Sequence, residues 1–159
     1  MAKIEVPVTN IGFEMLFGEY GVQPTTSLGD IKSADGIEYQ TQNIKYAPVN
    51  KGGYSLQVPT MKEGQPTTIE IYMCDTYSTL HDKFHNNDVS TPEFYCSLAF
   101  KYPKNDRNQN TKDYFYNGFI SKLKQSGGSE PEAQYYTFEF MPVGAPMVFV
   151  ESTPEDENV

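Results

Sequence analysis

The chain contains no tryptophan, only two histidines and two cysteines, and 12 Lys+Arg against 21 Asp+Glu over 159 residues. Each shortage excludes something. A formal charge of -9 lacks the clustered Lys and Arg with which proteins grip a nucleic-acid backbone. No apolar run approaches the roughly 18 residues that would read as a bilayer-spanning helix. The opening MAKIEVPVTN has no basic segment followed by an apolar one, so the expected setting is a cytoplasm. Two cysteines allow at most one internal bridge. Strand parity puts Cys96 beside Phe94, Leu98 and Phe100 and Cys74 beside Thr68 and Glu70, so both are expected as free thiols. Cys74 is the one that a cross-link to another subunit would use in an oxidising medium. Without Trp, an aromatic-rich carbohydrate-binding β-sandwich lacks its best stacking ring, which leaves that class as an alternative only.

What is present points to β structure. Tyr 12 and Phe 10 suit pleated, half-buried surfaces, and Gly 12 with Pro 11 supply turns. The length fits one domain, expected over residues 1–150, with the acidic ESTPEDENV at 151–159 as a tail that cannot offset its own ordering entropy.

The chain is organised around Thr67–Asn86, TTIEIYMCDTYSTLHDKFHN. From Thr68 to Cys74 the pattern alternates, with Ile69, Ile71 and Met73 on one face and Thr68, Glu70, Tyr72 and Cys74 on the other. At Asp75, an expected N-cap, the period becomes helical. Tyr77, Leu80 and Phe84 then recur over a short helix at about 76–86. So short a helix needs a sheet to dock on.

Elsewhere the reading is of strands and turns. GFEMLFGEY forms an early strand, and Ile31–Ile44 reads as two strands joined in a hairpin at Ala34-Asp35-Gly36. Gln40–Asn43 is polar on both faces. Within KYAPVNKGGYSLQVPTMKEGQ, Gly52-Gly53 is a turn and Tyr54–Val58 a short strand bounded by Pro59. Pro92 opens a strand over Glu93–Lys101, and Tyr102–Lys112 is a polar connection expected to be mobile. Tyr114–Lys124 and Gln134–Val143 form the strongest strand pair, with Tyr136, Phe138 and Phe140 on the dry face and Thr137 and Glu139 on the wet one. Met147–Val150 adds a last strand.

Candidate chemistry is sparse. His81 and His85 stand four apart on the helix, a spacing that can chelate a metal, with Asp82 where H-E-x-x-H places its general base. No third ligand follows at a familiar spacing. There is no G-x-S-x-G nucleophile elbow, and neither Gly-Gly pair is followed by the G-K-[ST] of a phosphate loop. Glu130, Glu132, Glu155, Asp156 and Glu157 read as solvated charge. No catalytic residue, metal or cofactor is expected.

The order of elements, with Gly52, Gly53 and Pro59, the strand Thr68–Met73, the helix bearing Leu80 and Phe84, and the closing pair Gly118–Leu123 and Tyr136–Pro142, resembles the tail tube proteins of contractile-tailed bacteriophages. These are related to the haemolysin-coregulated tube protein of type VI secretion. The resemblance covers about Ile31 to Val143. It implies a small, mainly β sandwich or barrel with one helix packed on it, a virion tail subunit assembled in the host cytoplasm. Six copies would form a ring, and stacked rings a hollow conduit for DNA ejection. The implied partners are copies of itself, a tail sheath protein outside the tube, and tape-measure protein and passing DNA inside it without specific binding. A type VI secretion tube or a baseplate component is the alternative. The resemblance makes Lys45, Tyr46, Pro48, Gly52, Gly53 and Tyr54 candidates for contact between rings. Glu70, Tyr72, Cys74, Thr137 and Glu139 become candidates for the lumen or a subunit junction, where carboxylates would keep DNA from sticking.

Overall fold

A computed structural model describes residues 12–47, 52–126 and 133–150. The N-terminal IEVPV, the segment GGSEPE after Ser126, and the acidic tail lie outside them. Among the described residues ten strands and one α-helix follow in chain order: β1 Glu14–Glu19, β2 Thr26–Ser27, β3 Ile31–Ala34, β4 Tyr39–Tyr46, β5 Leu56–Gly64, β6 Thr67–Tyr72, α1 Thr76–His85, β7 Tyr95–Lys101, β8 Tyr114–Gln125, β9 Tyr135–Pro142 and β10 Met147–Val148. The fold is mainly β with one short helix, as expected.

Eight strands form one antiparallel sheet, ordered β2-β1-β7-β8-β9-β6-β3, with β10 beside the start of β8. Its two ends, β2 and β3, are joined by only Leu28, Gly29 and Asp30. Laid flat, seven strands would set those ends about 29 Å apart. The link from Ser27 to Ile31 spans at most about 14 Å. The sheet must therefore roll up. Leu28, 1% exposed, sits inside the roll, its N–H donating to the Met15 carbonyl, while Asp30 accepts from the Tyr72 N–H.

Alternation fills the interior. Met15 and Phe17 of β1, Leu98 and Phe100 of β7, Ile69 and Ile71 of β6, and Tyr136, Phe138 and Phe140 of β9 join one core with Cys96 and Leu80. Each large side chain so buried contributes roughly 1.5–3 kcal/mol. On the outer surface Leu16, Ala99 and Phe115 are covered by Phe149, just after β10.

The strand–helix unit forms nearly as expected, with β6 starting one residue before the expected Thr68 and ending two residues before Cys74, and the helix ending at His85. Asp75 occupies the N-cap position in a helical backbone conformation and makes no side-chain cap bond. The first turn is closed by the backbone instead, Tyr77 N–H to the Cys74 carbonyl and Ser78 N–H to that of Asp75. The buried stripe holds Leu80 and also Lys83, whose ammonium donates to the Glu93 carbonyl at 2.7 Å and meets the Glu19 carboxylate at 3.1 Å. That lysine ties the helix to β1 and to the single turn of 3-10 helix, Pro92–Phe94, that replaces the expected strand start.

The expected hairpin at Ala34-Asp35-Gly36 does not form. β3 pairs with β6, and β4 with β5 in a separate two-stranded sheet. Gly36 lacks the positive φ that a tight Asp-Gly turn requires. The Thr67 hydroxyl bonds the carbonyls of Asp35 and Gly36, and the Thr68 carbonyl accepts the Asp35 N–H, so β6 captures this segment. Nor does Pro59 end its strand. It lies within β5 opposite Asn43, with Thr60 the extra residue of a bulge before Met61 opposite Gln42. Proline is tolerated there because β5 has a free edge. Gly52 and Gly53, at φ +66° and +84°, turn the end of this hairpin.

The connection Tyr102–Lys112 carries no strand. Asn105 and Asn108 organise it: the Asn105 N–H donates to Asn108 Oδ1, the Arg107 N–H to Asn105 Oδ1, and Asn108 Nδ2 to the Pro103 carbonyl.

Two predictions test this packing. A Cβ at Gly118 would run into the Met141 carbonyl and the Phe140 ring, so Gly118→Ala should lower unfolding free energy by about 1–3 kcal/mol. A denaturant midpoint equal to that of the unsubstituted chain would contradict the close β8–β9 approach. Burial pushes the Cys96 thiol, despite Lys83 nearby, and the Tyr116 and Tyr136 hydroxyls all up to about 12. These groups are more easily ionised unfolded than folded. Their stabilisation is complete below about pH 9 and is lost as pH rises towards 12. The urea midpoint should fall over that window, with Cys96 alkylated only as the chain unfolds. A flat profile, or labelling of Cys96 in the native protein, would count against it.

Candidate functional site

The feature that the barrel does not account for is the β4–β5 hairpin. Its base is clamped: the Tyr39 hydroxyl donates to the Gly144 carbonyl, the Gln65 N–H to that of Glu38, and Gly64 lies against Pro142. Beyond that base it stands out as an arm, every residue of β5 before Gly64 being exposed. Register gives it two faces. Ile44 opposite Val58 and Tyr46 opposite Leu56 form an apolar side continued by Met61, while Thr41, Asn43, Lys45, Gln57 and Lys62 form the polar side. Ile44 and Met61 remain 60% and 63% exposed. A two-stranded hairpin is marginal in water, and an exposed apolar patch on one marks an interaction surface.

The ring-contact candidates gather at the tip of this arm. Lys45 and Tyr46 close β4, Gly52 and Gly53 turn, and Tyr54 is 78% exposed. Pro48 lies outside the described residues. Sequence reading missed the apolar side, although the alternation Ile44, Tyr46 and Leu56, Val58 is its signal. The error at Ala34-Asp35-Gly36, which assigned the strand a different partner, hid it.

The second candidate set is brought together in part. Glu70 lies opposite Thr137, Glu139 opposite Thr68, and Tyr72 opposite Tyr135, so these side chains share the outer face of β6 and β9. Cys74 does not join them. The strand ends at Tyr72, and the Cys74 thiol turns to the Leu28 carbonyl at 3.3 Å and the Thr76 hydroxyl at 2.9 Å. Both cysteines are free thiols.

The two glutamates on that face are not bare. Glu70 accepts from the Ser33 hydroxyl at 2.9 Å and pairs with Lys32 at 3.4 Å, while the Lys32 ammonium also lies over the Tyr135 ring. Glu139 accepts from the Ser121 hydroxyl at 2.9 Å, with Lys122 at 3.9 Å. A lysine accompanies each carboxylate, so this face is close to charge balance.

His81 and His85 lie side by side with ring centroids 4.3 Å apart and planes tilted by 40°, and the Asp82 carboxylate stands 4.0 Å from His81 Nδ1. Among the described residues no group of three or more His, Cys, Asp or Glu is placed to hold a metal ion, and no helix is long and apolar enough to cross a membrane.

A groove of about 400 Å³ opens where the helix meets β7 and β8, lined by Phe84, Val89, Phe94, Tyr95 and Phe119 with Ser121 at its side. Its rings are in mutual contact, Phe84 to Phe94 at 6.3 Å, Phe94 to Phe119 at 6.0 Å and Tyr95 to Phe119 at 5.8 Å.

No protein-family model matches the sequence, nor does any curated protein sequence. Solved structures do match. A chain of the PVC sheath/tube terminator of an extracellular contractile injection system, in its extended state, gives a TM-score of 0.64 at 13% identity, over 94% of this chain and 100% of its own. A chain of the 6-fold symmetrised anti-feeding prophage baseplate gives 0.65 at 7% identity, over 93% and 97%. The SPP1 tail tube gives 0.65 at 13% identity, over 95% and 84%. At such identities the likeness is one of fold, and the fold of this chain is that of phage tail tube proteins and their injection-system relatives.

Proposed function

We propose that the chain is a structural, non-catalytic subunit of a phage-type tail tube, polymerising with copies of itself. The observation that carries this reading is the β4–β5 arm, a hairpin with an apolar side that its own barrel leaves in water. An arm that meets a different surface on the next copy makes a head-to-tail contact, and such contacts generate closed rings or open filaments. The likeness to tube, terminator and tail proteins supports the same reading.

In this proposal hexameric rings stack into a hollow conduit in the tail of a virion, built in the host cytoplasm. Tape-measure protein and then DNA occupy the lumen without specific binding, and a contractile sheath surrounds the outside. The paired glutamates Glu70 and Glu139 give a lumen or junction face little net charge, so carboxylates elsewhere would have to supply any repulsion of DNA. A second reading, a baseplate ring that does not polymerise, is favoured by the likeness to the anti-feeding prophage baseplate.

Electron microscopy and sedimentation of the purified chain test the proposal. Rings and tubes are expected on concentration, and Val58→Glu on the arm should abolish them while leaving thermal unfolding unchanged. Isolated rings that never stack would support the baseplate reading. A chain that stays monomeric at every concentration would overturn both.

A further inference from the structure

We infer that the groove beside the helix is the receptor for the arm of a second copy. This inference rests on the self-assembly reading above and names the surface that completes it. Two observations carry it.

The first is complementarity of form. The arm presents a raised apolar side of Ile44, Tyr46, Leu56 and Val58, and the groove is concave and walled by aromatic rings. The arm leaves the barrel at Gly64 and Pro142 and extends away from it, making no bond beyond that base except within the hairpin itself among the described residues. A second copy can bring the arm to the groove from outside.

The second is charge. From Tyr39 to Gly64 the sequence of the arm holds Lys45, Lys51 and Lys62 against one carboxylate, Glu63 near its base, which accepts from Gln42, within a chain of net charge -9. The groove is flanked by carboxylates: Asp88 precedes Val89, Glu93 precedes Phe94, and Glu139 bonds the lining Ser121. Lys122 accompanies Glu139, and Lys83 is engaged with Glu19 and the Glu93 carbonyl, so the excess around the groove is negative. Lys45 and Lys62 stand on the polar side of the arm. They steer the encounter and reach the rim from the arm's edges while the apolar side enters. A cationic arm and an acidic-rimmed groove on one chain repel their own kind and attract each other, which favours head-to-tail contact over symmetric pairing.

The test uses one lesion on each side. Val89 is 66% exposed and Val58 is 44% exposed, so Val89→Glu and Val58→Glu leave the core intact. Each variant alone should fail to assemble, with the critical concentration raised roughly tenfold or more. Mixed in equal amounts, they retain one sound arm and one sound groove between them, and sedimentation should show a heterodimer and nothing larger. Should Val89→Glu lose its cooperative melt, Glu93→Lys at the rim replaces it, with the same expectation. A Val89→Glu chain that builds rings or tubes like the unsubstituted protein would overturn the groove while leaving self-assembly standing. A mixture that stays monomeric would also overturn it. An unsubstituted chain that never assembles would remove the self-assembly reading and this inference together. Binding of the arm to single-stranded DNA, lost with Lys45→Glu but not with Val89→Glu, in a chain whose assembly ignores both, would assign the lysines to nucleic acid instead.

Discussion

The three residues Leu28, Gly29 and Asp30 constrain the molecule more than any other contact. They join opposite ends of a seven-strand path, and chain reach alone then forces the sheet to close on itself. Closure gives Met15, Phe17, Ile69 and Ile71 a common interior, and leaves Leu80 of the helix to dock on the same core. It also consumes β3 as a neighbour of β6. β4 pairs instead with β5 in a separate two-stranded sheet, and the pair projects as an arm.

Much of this was legible in the sequence, for a physical reason. Alternation of apolar and polar residues reports which face of a strand is dry, and it located β6, β8, β9 and the core residues Tyr136, Phe138 and Phe140. The change of period after Cys74 located the helix. Pairing is a different matter, because it depends on partners distant in sequence. Asp35-Gly36 carries the local mark of a tight turn, yet Thr67 and Thr68 hold its backbone in another geometry. Pro59 reads as a strand end, yet a free edge accommodates it. Lys83 gave no signal either, since a lysine on a helix normally faces water, and only the carbonyl of Glu93 and the carboxylate of Glu19 explain its burial.

The candidate site was legible by position and not by chemistry. The tip residues Lys45, Tyr46, Gly52, Gly53 and Tyr54 do stand towards the end of the arm, but the apolar side that Tyr46 shares with Ile44, Leu56 and Val58 went unread. On the outer face of β6 and β9 the parity of Glu70, Tyr72, Thr137 and Glu139 held. The lysines beside the two glutamates come from β3 and β8, and no local pattern predicts them. A face that looks acidic along β6 and β9 is close to neutral across the four strands β8, β9, β6 and β3.

The central claim is that the arm is a half-structure completed by a neighbour. A hairpin alone in water opens readily, whereas one seated on another subunit has its backbone amides withdrawn from solvent. Hydrogen exchange read residue by residue, in the dilute monomer and in the assembled state, measures this directly. The amides of 39–46 and 56–64 should exchange rapidly in the monomer and become strongly protected on assembly, with those of β7, β8 and β9 slow in both. An arm equally protected in both states, or an assembly that slows only the barrel strands, would contradict the account.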